Sequence, residues 1–171
     1  MSVYPQIMGI DPSLTATGIA LPDGTTLTIR SKHRGMERLA DIRQVIITLA
    51  AGIDLVIIEG YSYGSGHGAH QLGELGGTLR LALWDAAIPY LEIAPTQRAK
   101  YATGRGNAAK NLVISELSAR TGRTFPDDNQ ADAYILYAMA LDHYGHPVIE
   151  VPKTHRDALT TITWPELEPR P

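Results

Sequence analysis

Apolar and polar positions repeat with two different periods along this chain, and the switches between them mark its elements. Residues 6–11 are an apolar run ending at Asp11. TGIALP and TLTIRS flank PDGT, which carries Pro22 and Gly24 where a tight turn wants them, so three short strands follow one another as a meander. From Met36 to Ala51, residues Leu39, Ile42, Val45, Ile46 and Leu49 recur at three- and four-residue spacing, which predicts an amphipathic helix stopped by Gly52. DLVIIEG is β-branched, too short for a helix and apolar on both faces, as a central strand is.

A glycine-rich stretch, YSYGSGHGAH, precedes a second helix from about Gln71 to Ala87. PYLEIA is a further strand closed by Pro95, TQRAKYA makes one or two helical turns, and TGRGN breaks them. A helix from Ala108 to about Arg120 turns Leu112, Val113 and Leu117 inward, and DDNQADAYILYAMALDHYG is the last helix. From Pro147 onward, prolines and charges dominate and the periodicity fades. The expectation is one domain over residues 1–146 and a flexible or loosely docked tail over 147–171. Three antiparallel strands followed by helical crossovers describe an α/β fold: a five-stranded mixed sheet with helices on both faces.

The chemistry sits where the apolar runs end. Asp11 and Glu59 each close a buried strand, and desolvating a carboxylate is costly unless something positive neutralises it. If the two strands lie side by side, both carboxylates reach one edge of the sheet and repel each other. A divalent cation relieves that repulsion, and paired carboxylates on hard cations equip phosphoryl chemistry. In DDNQADA, Asp128 and Asp132 stand four apart on one helical face. Singly, an acid ending a strand is more often a turn residue and one before a helix more often an N-cap, which suits Asp127 or Asp128 but not Asp132 inside the helix. Four acids from three distant segments together point to a metal site.

Bulk composition narrows the classes. The chain has 171 residues, 44% of them hydrophobic, enough for one domain with a real core. It has no cysteine, which excludes disulfide frameworks, thiolate zinc sites and cysteine nucleophiles. No apolar run is long enough for a membrane span, and MSVYPQ is not a secretion signal, so a soluble cytoplasmic protein is expected. The net charge is −3, but its distribution is uneven. Residues 97–126 carry Arg98, Lys100, Arg105, Lys110, Arg120 and Arg123 against Glu116 alone, and residues 30–43 hold five basic residues against two acids. Such segments around a carboxylate cluster suit a protein that grips a phosphate backbone, although two solvated helix faces would show the same charge.

Four segments, in order, are similar to the RuvC family of Holliday junction resolvases, within the RNase H-like superfamily. They are GIDPSLTATG (9–18), VIIEGYSYG (56–64), APTQRAKYATGRGNAAK (94–110) and DDNQADAYILYA (127–138). The resemblance implies an RNase H-like fold and a structure-selective endonuclease that nicks four-way junctions symmetrically with two Mg²⁺ ions, Mn²⁺ also serving, and leaves 5′-phosphate ends. It implies that Asp11, Glu59 and Asp132 are metal-binding carboxylates. The family's remaining acidic residue or histidine falls on Asn129 here, and Asp128 is the candidate to replace it. Lys110 and Lys100 resemble the lysines held near the scissile phosphate, with Arg98 and Arg105 as further DNA contacts. Tyr61 and Tyr63 bracket the position of a base-stacking aromatic. The helix at 71–87, with Gly73, Gly76 and Gly77, corresponds to the family's dimer interface, so a homodimer is expected, with branched DNA as partner and neither membrane nor small-molecule substrate.

Other signals are weaker. GSGHGAH lacks the Lys-Ser/Thr of a phosphate-binding loop and follows the fourth strand instead of the first. His67 and His70 have no further nearby ligand in the sequence. GIDPSLTATG also opens actin-like and sugar-kinase ATP-binding proteins, but those need a second phosphate motif and a much longer chain. A branched-DNA-binding protein of the same fold without strong catalysis is the nearer alternative, differing at the fourth ligand.

Overall fold

Five strands and six α-helices account for residues 4–60 and 69–167, the part of the chain that the computed structural model describes. The strands are β1 (Ile7–Asp11), β2 (Thr17–Ala20), β3 (Thr26–Ile29), β4 (Leu55–Glu59) and β5 (Tyr90–Ile93). They form one sheet in the order β3-β2-β1-β4-β5. The first three pair antiparallel, as the PDGT turn requires, and Gly24 takes the left-handed conformation there at φ +80°. β4 pairs parallel with both β1 and β5. The helices are α1 (Gly35–Leu49), α2 (Ala69–Asp85), α3 (Pro95–Thr103), α4 (Lys110–Thr121), α5 (Asp128–His143) and the short α6 (Lys153–Arg156). This is the α/β arrangement expected from the sequence, with TQRAKYA extended into a full helix.

Strand alternation divides the core between the two faces of the sheet. Met8, Ile10, Val56 and Ile58 pack with Leu39, Ile42 and Ile46 of α1 and with Leu75, Leu79 and Leu83 of α2. Ile7, Leu55 and Ile57 pack on the other face with α5 and with Val113 and Leu117 of α4. Because alternate residues share a face, Asp11 and Glu59 belong to the α5 side.

Two glycines set how closely α5 approaches. A Cβ on Gly9 of β1 would stand 2.1 Å from the Ala133 carbonyl oxygen, and one on Gly18 of β2 would stand 2.0 Å from that of Asn129. Only residues without side chains let the helix backbone lie directly on the strands, and that approach carries Asp132 to the end of β1.

Residues 147–167 dock on the rest of the domain through a few anchors. Ile149, Ala158 and Leu159 are buried in the α5-side core. Trp164 stacks on His143 with ring centroids 4.5 Å apart, and the Tyr144 hydroxyl donates to the Pro165 carbonyl at 2.7 Å. Arg156 pairs with the buried Asp142 at 2.6 Å. A few apolar and aromatic anchors among the prolines are enough to dock the segment, and their irregular spacing shows no period.

Candidate active site

The strand register builds the first half of the site. β1 and β4 run parallel with Ile10 opposite Ile58, so one further step sets Asp11 beside Glu59. Neighbouring parallel strands lie about 4.8 Å apart, which holds two carboxylates close on one face. β4 also pairs with β5, Glu59 opposite Ile93, and the chain passes from Ile93 through Ala94 into α3. Pro95 opens that helix, where a missing N–H costs nothing. The first turn of α3 thereby begins next to Glu59, and α5 brings Asp132 from above.

Arg98, one turn into α3, lies within this cluster. Its Nε donates to Glu59 and its Nη1 donates to Asp132, as a fork bridging the two carboxylates. The residue is only 7% exposed, against 9% for Asp11 and 5% for Asp132. Three carboxylates and one guanidinium are therefore gathered at the sheet edge, with an excess of negative charge.

That excess is visible in the protonation equilibria. Burial, followed by the charges of Glu59 and Asp132, pushes the Asp11 carboxyl up to about 8. Burial also raises Asp132, to about 7, although the Arg98 charge beside it pulls the other way. Arg98 itself is disfavoured by burial, but Glu59 and Asp132 outweigh that and raise its pKa above the ordinary guanidinium value.

Hard oxygen donors that resist losing their protons for want of a counter-charge suit a divalent cation. Asp11, Glu59 and Asp132 are the residues that would hold one. Among the described residues, however, no three Asp, Glu or His side chains stand close enough to hold an ion as they are.

The remaining expected residues take distinct positions. Asp127 is the N-cap of α5: its side chain accepts from the Gln130 N–H at 2.8 Å and from the Thr28 hydroxyl at 2.7 Å. Asp128, in the first turn of α5, accepts from Lys110 Nζ at 2.7 Å, and that hydrogen bond lowers the Asp128 pKa and raises that of Lys110. Lys110 is well exposed, yet close enough to Asp11 and Asp132 for its charge to lower the pKa of both. The Asn129 backbone lies against Gly18. Lys100 is half-buried on α3, and Arg105 is exposed in the turn after it.

Arg98 does not fit its expected place among the outward DNA contacts, because both carboxylates it serves are inside. A cation inside the acidic cluster was missed in the sequence, where basic residues at 97–126 read as one surface. The signal was available in the three-residue step from Pro95 to Arg98, which sets the guanidinium one turn above the end of β5. Tyr61, Tyr63 and His67 lie outside the described residues. His70 is exposed at the start of α2.

No family model matches the chain. The RuvC crossover junction endodeoxyribonuclease of Chromohalobacter salexigens is 29% identical over 149 residues, covering 80% of this chain and 79% of that protein. That of Rhodopirellula baltica is 28% identical over 155 residues, covering 82% and 85%. Among solved structures, Thermus thermophilus RuvC superposes with a TM-score of 0.64 at 20% identity, over 82% of this chain and 97% of that one. T. thermophilus RuvC in complex with a Holliday junction substrate gives 0.63 at 22% identity, over 78% and 91%. By sequence this chain is similar to the RuvC crossover junction endodeoxyribonucleases, and it shares the fold of the solved RuvC structures.

Proposed function

We propose that this protein is a divalent-metal-dependent endonuclease that resolves Holliday junctions and related branched DNA. One observation carries the reading: Asp11, Glu59 and Asp132, from three distant segments, meet at one sheet edge in a fold shared with a resolvase solved on its junction substrate. Asp11, Glu59 and Asp132 would hold Mg²⁺ or Mn²⁺, with Asp128 as the fourth candidate. Divalent ions in such a site supply the Lewis acidity for in-line phosphodiester hydrolysis, with 5′-phosphate and 3′-hydroxyl ends as products.

The chain's own residues do the rest. The rigid strand ends hold Asp11 and Glu59 in place, and the close seat of α5 does the same for Asp132. Lys110 stands at the exposed rim, where its ammonium can leave Asp128 for a phosphate oxygen and stabilise charge that grows in the transition state. Lys100, half-buried on α3, and Arg105, exposed in the turn after it, carry charges that suit the DNA backbone.

A two-fold dimer would cut opposed strands symmetrically. Two features of α2 support the helix at 71–87 as its interface. Leu81 and Trp84 are exposed, at 62% and 75%, and a Cβ on Gly73, Gly76 or Gly77 would meet nothing within 4 Å, so internal packing does not require these glycines. Incubation with a synthetic four-way junction and with linear duplex in Mg²⁺, followed by mapping of the cuts, tests the reading. Paired nicks at symmetric positions in the junction alone are expected. Binding without cutting would instead favour a junction-recognising protein that lacks catalysis.

A further inference from the structure

We propose that Arg98 is a built-in countercation: its guanidinium holds Glu59 and Asp132 together in the DNA-free protein, and a divalent ion must displace it to load. The inference rests on the metal-site reading above and concerns a residue which that reading leaves without a task.

Two observations and the chemistry of arginine support it. Arg98 is buried and engages the two carboxylates through two different nitrogens. An arginine stays charged under all ordinary conditions, so it competes at every pH, and its fork matches paired carboxylates better than an ammonium does. The acids nevertheless do not converge into a ready ligand set. Oxygens drawn toward a planar fork are held apart by it, whereas a small hard cation gathers them to 2.0–2.6 Å or so.

The helix presenting Arg98 is also firmly anchored. The Tyr101 hydroxyl donates to the buried Asp142 at 2.9 Å, and His155 Nδ1 lies 3.1 Å from the Tyr101 carbonyl. Arg98 is thus held at the cluster by the fold, unlike a surface side chain that happens to reach in. At the rim, Lys110 engages Asp128 in the same manner.

Mn²⁺ binding to the DNA-free protein, measured by calorimetric titration, tests the idea without reference to cleavage. Arg98→Gln should bind Mn²⁺ about tenfold more tightly than wild type, because Glu59 and Asp132 lose their competitor. Lys110→Gln removes one charge from the same neighbourhood without touching either carboxylate, and should give a clearly smaller gain. Equal gains in the two variants would reduce the effect to net charge and overturn the proposal.

Unchanged or weaker binding in Arg98→Gln would also overturn it, showing that Arg98 braces the carboxylates for the ion. If wild-type binding is meanwhile lost in Asp11→Asn, the metal-site reading survives that outcome. No Mn²⁺ binding by any variant would end both. Should Arg98→Gln fail to fold, as circular dichroism would report, Arg98→Lys is judged by the same comparison. A single ammonium cannot bridge both acids, so tighter binding supports the proposal and unchanged or weaker binding overturns it.

Discussion

Substituting Gly9 by alanine adds one methyl group at the contact that seats the active-site helix. The new Cβ would lie 2.1 Å from the Ala133 carbonyl oxygen and 3.0 Å from the Tyr137 nitrogen, both backbone atoms that cannot rotate away. An ordinary contact of about 3.4 Å requires α5 to retreat by roughly 1.3 Å. Overpacking a core costs ~1–3 kcal/mol, and a clash with backbone belongs at the upper end. Alanine regains ~0.5–1 kcal/mol because it is less costly than glycine to order in a strand. The expected net loss is about 2 kcal/mol in urea denaturation. Asp132 rides on the same turn of α5 as Ala133, so its carboxylate shifts with the helix. A misplacement of about 1 Å can cost ~100-fold in rate, and single-turnover junction cleavage should fall by that order. Stability within about 0.5 kcal/mol of wild type, together with normal cleavage, would refute the claim that Gly9 sets the position of the site.

Three further outcomes follow from the charges. Asp11 and Asp132 keep protons when folded that the unfolded chain releases near pH 4. Metal-free protein should therefore lose stability as pH rises from about 4 to about 8, as thermal melts would show, and Asp11→Asn should flatten that slope. A parallel slope in wild type and variant would count against the raised Asp11 pKa. Mg²⁺ titrations of cleavage should show Asp128→Asn needing more Mg²⁺ for half-maximal rate and Asn129→Ala needing the wild-type amount, and the reverse pattern would move the fourth ligand to Asn129. Lys110→Ala should lower the single-turnover rate more than junction affinity measured in Ca²⁺, whereas lost affinity at an unchanged rate would make Lys110 a grip on the backbone.

The parts of this molecule that were legible in the sequence are those that local period and strand ends determine. IMGID and DLVIIE had to be buried strands, and parallel pairing then carried Asp11 and Glu59 to one edge. Asp132 was legible because a carboxylate between alanines inside a helix has no capping task, whereas the choice of Asp127 over Asp128 as the cap depended on where the chain turns into α5. Arg98 was easily passed over as an inward cation, since Lys100 two residues on differs from it only in how α3 is rolled against its neighbours. Docking of residues 147–167 was hidden for a related reason. His143, Tyr144 and Asp142 supply the partners for Trp164, Pro165 and Arg156, and such pairings lie outside any local pattern.

The central claim is that Asp11, Glu59 and Asp132 together form the metal centre that cuts the junction. Its most direct test is single-turnover cleavage of a four-way junction in Mg²⁺ by Asp11→Asn, Glu59→Gln and Asp132→Asn, with binding measured in parallel in Ca²⁺. Each substitution removes a hard oxygen ligand and one negative charge, so cutting should be abolished in all three while the junction is bound as tightly as by wild type or more tightly. Near wild-type cutting by any one of them would contradict the assignment at that residue.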